Sequence, residues 1–215
     1  MGPRFMGQNK KLVVIDYNMG NVKSVSKAFD LIGCRVVVSN KEEAIKKADY
    51  LILPGVGAYS EGMKNLKKFG LVEILNEEVV KNKKLILGIC LGMQLMAKQS
   101  EEFGKHQGLG WFDAEVRKFR LSTEYKIPHV GWNNINFSKD CPLFNGLKED
   151  PVFYFVHGYH MICNNPDVIM ATCDYGGDFT AAIQKGNIFA TQFHPEKSQT
   201  VGLKLLKNFI NLQED

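Results

Sequence analysis

The sequence predicts an α/β fold in which a mostly parallel central sheet is flanked by helices, with additional, partly antiparallel strands in the second half. Three observations lead to this prediction. Short apolar runs alternate with amphipathic helical patterns through the first half of the chain. These runs lack polar alternation, which is typical of strands covered on both faces. The second half is instead rich in β-branched and aromatic residues and in turn signals such as Asn145-Gly146 and Gly176-Gly177.

Each element of the first half is predicted from its own pattern. Four short apolar runs predict strands at residues 12–15, 36–38, 50–53 and 85–87. Apolar side chains spaced three or four apart, such as Val22, Val25 and Phe29, predict a helix over residues 20–32. Gly33 then ends this helix. The other predicted helices cover residues 41–47, 59–80 with an interruption at Gly70, and 91 to about 98.

The second half is predicted to contain mainly strands. Segments bounded by turns predict them at residues 114–119, 152–156, 168–174, 180–185 and 188–192. An amphipathic pattern predicts a last helix over about residues 200–212. Because no repeat, low-complexity tract or linker divides the chain, we predict a disordered leader over residues 1–10 and a single domain over residues 11–215.

The composition is that of an ordinary globular protein and argues against several function classes. Of the 215 residues, 45% are hydrophobic and 23% are charged, unlike a disordered or fibrous chain. The net charge of +4 is mild and the basic residues are spread along the chain, so we expect no nucleic-acid partner. The apolar stretch at residues 85–93 is far shorter than the roughly 20 residues of a membrane span, so we expect no membrane partner.

The cysteines indicate a reduced environment. The chain has five, an odd number, and no C-x-x-C pair, which argues against a disulfide framework and a zinc ribbon. Reduced thiols are typical of intracellular proteins, and residues 1–10 lack the apolar core of a signal peptide. We therefore expect a cytoplasmic protein, and we expect it to need no metal and no cofactor.

The most informative motif is the segment Gly88-Ile89-Cys90-Leu91-Gly92. It has the G-x-nucleophile-x-G pattern with cysteine as the nucleophile, between a predicted strand and a predicted helix. A nucleophile in such a tight turn needs small neighbours, because its backbone is strained and other segments pass close by. The following helix favours thiolate over thiol, and the N–H of Leu91 would point toward the reacting carbonyl oxygen. The alternative is a buried structural cysteine between two packing glycines.

A thiolate nucleophile needs a base, and the segment Gln192-Phe193-His194-Pro195-Glu196 offers one. His194 directly follows a predicted strand, which Pro195 ends. Glu196 could fold back around the proline and orient the imidazole. Cys90, His194 and Glu196 would then act as nucleophile, base and orienting carboxylate. Alternatively, His194 and Glu196 form only the polar end of a strand.

A glycine-rich segment, Pro54-Gly55-Val56-Gly57, directly follows the third predicted strand. Ligands of parallel sheets bind at the carboxyl ends of the strands, so this loop should lie beside Cys90, where its N–H groups could complete an oxyanion hole. A dinucleotide-binding turn is the weaker interpretation, because Ser60 stands where the third glycine is required. Gln94 lies one helical turn after Cys90 and could hold a polar substrate, or could be a solvated helix residue.

Together, these segments resemble the class I (triad-type) glutamine amidotransferases. Residues 88–94 and 194–198 are similar to the two signature segments of that family. Within it, the similarity is closest to the glutaminase subunit of imidazole glycerol phosphate synthase and runs from about Leu12 to the C-terminus. It is carried by Asp16-Tyr17-Asn18-Met19-Gly20-Asn21, Pro54-Gly55-Val56-Gly57, Pro128-His129-Val130-Gly131-Trp132-Asn133 and Phe153-Tyr154-Phe155-Val156-His157. The resemblance implies a flavodoxin-like arrangement of sheet and helices.

The resemblance also implies an activity, the hydrolysis of glutamine to glutamate and ammonia. Cys90 would attack the side-chain amide, and His194, oriented by Glu196, would protonate the leaving ammonia. Water would then hydrolyse the γ-glutamyl thioester. The oxyanion hole would use the N–H of Leu91 and, after a backbone rearrangement, the loop at Val56 and Gly57.

Binding and interface residues are carried over from the same resemblance. Glutamine would be held by Gly55, Gln94, Glu102 and Tyr159. The family forms a heterodimer in which ammonia passes unreleased to a (β/α)8-barrel cyclase subunit. The residues matching positions that face this partner are Asn21, Ser24, Trp132 and Lys197. Glycines in the oxyanion loop can flip cheaply, so we expect low activity without the partner and its ligand.

The sequence departs from the family at Gly158, where a Ser or Thr hydroxyl usually contacts glutamine. Weaker affinity or a pocket based on backbone contacts are both compatible with this change. His157 and His160 form an H-x-x-H pattern, but positions three apart on a strand face opposite sides, so we expect no metal. His106 and His129 are predicted to be surface or packing residues.

Three other functions stay open at this point. A paralogous glutaminase could feed ammonia to another barrel-type synthase, for example one that amidates a surface sugar. A stand-alone cysteine hydrolase could share the turn at Cys90, although it would not need Gln94. A non-catalytic scaffold that activates a partner is a third possibility, against which the intact set of Cys90, His194 and Glu196 argues.

Overall fold

A computed structural model describes residues 10–138 and 140–212. The predicted leader over residues 1–10 lies, apart from Lys10, outside this part of the chain, and the single domain over residues 11–215 stays a prediction. The strands are β1 (Leu12–Ile15), β2 (Val36–Ser39), β3 (Tyr50–Gly55), β4 (Leu85–Cys90), β5 (Gln99–Ser100), β6 (His106–Gln107), β7 (Ala114–Lys118), β8 (His129–Asn134), β9 (Asn136–Phe137), β10 (Val152–His157), β11 (Tyr159–Cys163), β12 (Ile169–Asp174), β13 (Asp178–Lys185) and β14 (Ile188–Thr191).

The central sheet has, within the described residues, eight strands in the order β2-β1-β3-β4-β14-β13-β12-β9. The first five are parallel to one another, and the last three extend the sheet in antiparallel pairings. Two smaller sheets pair β10 with β8 and order the others as β11-β7-β5-β6. The predicted α/β fold, with a mostly parallel sheet and added antiparallel strands, is therefore confirmed.

Both faces of the sheet are covered by helices, which are α1 (Val22–Leu31), α2 (Glu42–Lys46), α3 (Tyr59–Lys68), α4 (Leu71–Leu75), α5 (Leu91–Leu95) and α6 (Gln199–Ile210). Strand β1 shows why. Leu12 and Val14 pack in a cluster with residues of α1 and α6, whereas Val13 and Ile15 pack in a second cluster with residues of α2, α3 and α5. Side chains alternate across a strand, so a wholly apolar run supplies a core on each face. No helix in the described part of the chain is long and apolar enough to cross a membrane.

Two predicted helices differ from those observed. The helix predicted over residues 59–80 is three pieces, because Gly70 has a left-handed backbone (φ +66°) that ends α3. A π-helical segment, Asn76–Lys81, then follows α4. The helix predicted to reach about residue 98 ends at Leu95, because Leu109 N–H donates to the Leu95 carbonyl and the chain turns into β5.

Strand predictions were correct for the apolar runs but missed five strands, β5, β6, β8, β9 and β11. Strand β8 alternates between buried or half-buried and exposed positions and contains two asparagines, so it has no apolar run to reveal it. Its extended form is fixed by antiparallel pairing with β10, in which Trp132 lies opposite Tyr154. Such distant pairing cannot be seen in a local sequence window.

Candidate active site

Cys90 ends β4 and directly precedes α5, at the carboxyl end of the parallel strands. Its backbone (φ 54°, ψ −108°) is in a region that residues other than glycine rarely adopt. The flanking glycines are required by packing. A Cβ at Gly92 would lie 1.8 Å from the Leu53 carbonyl oxygen, and one at Gly88 would lie 2.7 Å from Met96 Cε. The strained turn of the G-x-C-x-G motif is thus present, with Cys90 only 6% exposed.

His194 reaches Cys90 because β14 lies parallel to β4, with Thr191 opposite Ile89. The chain therefore leaves β14 at the same edge of the sheet as Cys90. The His194 N–H donates to the Tyr154 carbonyl (2.9 Å), and its carbonyl accepts from the Ser198 hydroxyl (2.6 Å). These two bonds fix the segment that carries the imidazole.

The side chains of His194 and Glu196 form a buried pair. Nδ1 of His194 lies 2.7 Å from Oε1 of Glu196, and the two side chains are 2% and 1% exposed. Burial lowers the pKa of His194, but the charges of Cys90 and Glu196 outweigh it and raise that pKa to about 10. Because Nδ1 faces Glu196, Nε2 is the ring nitrogen left for Cys90, whose charge and side-chain hydrogen bond are among the causes of the raised pKa. Nε2 is therefore free to exchange a proton with the sulfur or a substrate.

The glycine-rich loop lies beside Cys90, since Gly55 is directly opposite it in the β3–β4 pair. Gly55 is closely packed: a Cβ there would lie 2.4 Å from the Tyr17 hydroxyl oxygen and 2.9 Å from Leu91 Cβ. The N–H of Val56 donates to the Met19 carbonyl at 2.7 Å. This amide is consequently engaged within the protein rather than available to a substrate oxygen.

Most of the predicted residues line one cavity of about 370 Å³, a size suited to a small molecule. Its lining includes the predicted residues Val56, Gly57, Cys90, Leu91, Gln94, Glu102, Tyr159 and Lys197. A larger groove of about 920 Å³ lies at the opposite end of the sheet, next to Trp111 and Lys185. It contains none of the predicted residues, so the smaller cavity is the candidate active site.

Gln94, Glu102 and Tyr159 lie on different elements around this cavity. Gln94 is 6% exposed, so the alternative of a solvated helix residue is wrong; its Nε2 donates to the Tyr159 carbonyl and to Gln192 Oε1, both at 2.9 Å. Oε2 of Glu102 accepts the Tyr59 N–H at 2.6 Å and so caps α3.

The residues predicted to face a partner lie on neighbouring elements. The Asn21 side chain caps α1 by accepting from the Ser24 N–H (3.4 Å). Helix α1 packs against the short turn that contains Lys197. The Lys197 ammonium lies 5.6 Å from the centre of the Tyr154 ring, which also contacts Trp132. Trp132 is 48% exposed, an unusual exposure for so large an apolar ring.

Two of the histidines, His129 and His157, are buried and lie within bonding distance of each other. His157 and His160 lie on different strands, β10 and β11, so the expectation about positions three apart on one strand was wrong in its geometry. His157 bonds instead to His129 (Nε2 to Nδ1, 3.3 Å) and to the Tyr159 carbonyl (Nδ1, 2.8 Å). Burial lowers the pKa of His129 to about 4 and that of His157 to about 3. No group of metal-ligating side chains occurs among the described residues.

Gln192 was missed by the sequence analysis. It directly follows β14, is completely buried, and its Nε2 lies 3.6 Å from the Cys90 sulfur. The available signal was a polar residue at the end of a predicted buried strand. The direction in which the Gln192 side chain points, however, depends on how β14 and β4 pair.

Comparison with known proteins gives a consistent family. A family profile described as glutamine amidotransferase class-I matches residues 13–212. Imidazole glycerol phosphate synthase subunit HisH 2 from Methanococcus maripaludis is 49% identical over 199 residues, covering 93% of this chain and 98% of its own. Subunit HisH 1 from Campylobacter jejuni is also 49% identical, over 201 residues, with 94% and 100% covered. Subunit HisH from Aquifex aeolicus is 48% identical over 200 residues, with 93% and 95% covered.

Solved structures share the fold at lower sequence identity. PurLQS from Thermotoga maritima superimposes with a TM-score of 0.71 at 17% identity, covering 94% of this chain and 98% of that chain. The glutaminase domain of Trypanosoma brucei CTPS with bound acivicin gives 0.64 at 16% identity, with 95% of each chain covered.

Proposed function

Because the chain belongs to the class I glutamine amidotransferase family, we propose that it is the glutaminase subunit of imidazole glycerol phosphate synthase and acts in histidine biosynthesis. The strongest support from geometry is that Cys90, in its strained turn, lines one small cavity and interacts with the buried His194–Glu196 pair. The relatives that carry this name match over nearly their full length.

In the proposed reaction, the Cys90 thiolate attacks the side-chain carbonyl carbon of glutamine and forms a tetrahedral oxyanion. The imidazolium of His194 gives its proton to the departing nitrogen, the C–N bond breaks, and ammonia leaves. His194 then takes a proton from water, whose oxygen attacks the γ-glutamyl thioester. Glutamate is released and the thiolate returns. The raised pKa of His194 suits the first step, because the imidazole holds its proton while the sulfur is an anion.

Glu196 stabilises the imidazolium and fixes the ring, since its carboxylate accepts from Nδ1 and leaves Nε2 to do the proton transfers. The Glu196 carboxylate can act on the His194 imidazole in this way only if water is kept away from both groups. Their near-complete burial supports this assignment.

The oxyanion would be held by the N–H of Leu91 and by the loop at Val56 and Gly57. Since the Val56 N–H is bonded to the Met19 carbonyl, that bond must break before the amide can turn toward the substrate. The proposal therefore includes low activity of the lone subunit. A partner that contacts the segment around Asn21, two residues after Met19, is placed to favour the turned form.

Glutamine would lie in the cavity with its amino-acid end near Glu102 and Tyr159, and with Gln94 and Gly55 beside the sulfur. The carboxylate of Glu102 matches the substrate ammonium. Gly158 also lines the cavity but has no hydroxyl to contact glutamine. Binding in this pocket therefore depends more on the remaining polar groups.

The proposed partner is a (β/α)8-barrel cyclase subunit in a cytoplasmic heterodimer, to which ammonia passes without release. Exposed Trp132 and Val130 on β8 supply apolar area for such an interface, and Lys197 supplies a charge beside it. Asn21 and Ser24 would extend the same contact along the start of α1.

The test is to co-express the chain with the barrel cyclase of the same organism, purify the complex, and measure glutamate formation with and without the cyclase substrate. We expect hydrolysis that rises at least tenfold when that substrate is bound. Cys90→Ala should end hydrolysis while the complex still co-purifies. Equal turnover by the lone subunit, or hydrolysis by the Cys90→Ala complex, would contradict the proposal.

A second candidate is a paralogous glutaminase serving another barrel-type synthase, which the departure at Gly158 favours. Complementation separates the two candidates. Expression of this chain with its cyclase should restore growth of a strain that lacks its own glutaminase subunit on medium without histidine. Failure to grow, with glutaminase activity retained beside a different barrel partner, would favour the paralogue.

A further inference from the structure

We infer that Gln192 is a further catalytic residue, whose side-chain N–H donates a hydrogen bond to the sulfur of Cys90 and holds it as a thiolate. The inference rests on the proposed role of Cys90 as the nucleophile. Gln192 is completely buried, and a buried carboxamide has to be hydrogen-bonded. Its Nε2 lies 3.6 Å from the Cys90 sulfur, within the reach of an N–H to sulfur bond.

The direction of this amide is fixed by a chain of hydrogen bonds that begins at a backbone carbonyl. The Tyr159 carbonyl can only accept, and it faces Nε2 of Gln94 at 2.9 Å. The same Nε2 donates to Oε1 of Gln192, also at 2.9 Å. Reversing Gln94 would set its oxygen against the Tyr159 carbonyl, and reversing Gln192 would set two NH2 groups face to face. The N–H end of Gln192 therefore has to point at the sulfur.

A donor in this position favours the charged form of the thiol. Gln192 approaches the sulfur from β14, the strand whose continuation also carries His194, so the neutral donor and the imidazolium act on the same atom. The carboxamide cannot take up the proton and stays a donor at every working pH. Gln94 lines the substrate cavity but Gln192 does not, which indicates that Gln192 acts on the sulfur rather than on glutamine.

The test measures the reactivity of Cys90 rather than turnover alone. Alkylation of the full chain by iodoacetamide is followed by mass spectrometry of the Cys90 peptide between pH 5 and 10. The variant Gln192→Leu keeps the side-chain volume but has no N–H donor. In it we expect the pH midpoint of Cys90 alkylation to rise by roughly one pH unit and the alkylation rate at pH 7 to fall about tenfold. Gln184→Leu, a glutamine on β13 away from the cavity, is the matched control and should retain the wild-type profile.

Gln192→Glu separates the two hydrogen bonds. It keeps an oxygen for Gln94 but turns a second oxygen, in place of the N–H, toward the sulfur, so the midpoint should rise further than in Gln192→Leu. An unchanged alkylation profile in both variants, with only a raised KM for glutamine in the complex, would show that Gln192 merely positions Gln94 and would overturn the inference.

The wild-type protein gives an independent measurement if either variant fails to fold. The side-chain amide signals of Gln192 in a ¹⁵N spectrum should shift with the same midpoint as Cys90 alkylation, and signals that do not respond would overturn the inference. These readouts do not require turnover. If the wild-type complex fails to hydrolyse glutamine while the alkylation shift is observed, the proposed function is wrong and the hydrogen bond to Cys90 stands.

Discussion

Replacing Gly92 with alanine tests the packing that forms the turn at Cys90. The new Cβ would lie 1.8 Å from the Leu53 carbonyl oxygen, whereas real Cβ atoms essentially never come within 3.0 Å of such an atom. The two groups must separate by more than an ångström. Neither can rotate away, because Leu53 is backbone of β3, a central strand, and Gly92 is in the first turn of α5.

The displaced helix should affect both stability and chemistry. Overpacking a core costs about 1–3 kcal/mol when side chains can adjust, and here only backbone can, so we expect a loss of about 3 kcal/mol or more. That is a large part of the 5–15 kcal/mol typical of a whole domain. Under the proposed mechanism, displacement of the turn that carries Cys90 by about 1 Å should also lower glutamine hydrolysis by the complex by about 10²-fold.

The assay is urea unfolding followed by circular dichroism, with Gly88→Ala and Gly158→Ala for comparison. At Gly88 the nearest atom is the mobile end of Met96 at 2.7 Å, so the loss should be smaller. At Gly158 the nearest atom is Ile127 Cγ2 at 3.6 Å, an ordinary contact, so the change should stay within about 0.5 kcal/mol. A Gly92→Ala protein as stable as the wild type, or a Gly158→Ala protein as unstable as Gly92→Ala, would refute this reasoning.

Three further predictions concern charge and binding. Glu196→Gln removes a charge that raises the pKa of His194, so that pKa, read by NMR, should fall and kcat of the complex should drop by about 10²–10⁴-fold; an unchanged kcat would contradict the role of Glu196. The folded-state pKa values of His129 and His157 are lowered, so as the pH falls the unfolded chain takes up protons before the folded protein does. For each of these imidazoles, the free energy of unfolding should therefore decrease by about 2 kcal/mol between pH 7 and pH 5. Histidine NMR that showed either ring titrating near pH 6.5 would contradict this. Gly158→Ser places a hydroxyl at the cavity without a clash and should lower KM for glutamine several-fold, whereas an unchanged KM would mean that the hydroxyl makes no contact.

Much of the molecule could be predicted because its signals are local. The four parallel strands of the first half are short apolar runs, and the sequence motif around Cys90 combines a strand end, two small residues and a helix start. His194 and Glu196 are two positions apart, so their pairing across Pro195 could be expected from the chain alone.

What could not be predicted depends on contacts between distant segments. The bond between the Val56 N–H and the Met19 carbonyl joins two loops, and nothing in either segment shows which carbonyl the amide meets. The burial of Gln94 could not be predicted, because the sequence of α5 does not show which other segment packs against the helix face that carries it. Gln192 becomes informative only when β14 is placed beside β4, more than one hundred residues earlier in the chain.

The backbone of Cys90 has a consequence for the stability of the protein. Its φ of 54° is favourable for glycine and unfavourable for every residue that has a side chain, so the sulfur is retained at a cost to folding of the order of 1 kcal/mol. Under the proposed mechanism, exchange of this residue for glycine would relieve that strain and end glutamine hydrolysis. The position that presents the proposed nucleophile to its substrate is therefore one at which the backbone lowers the stability of the fold.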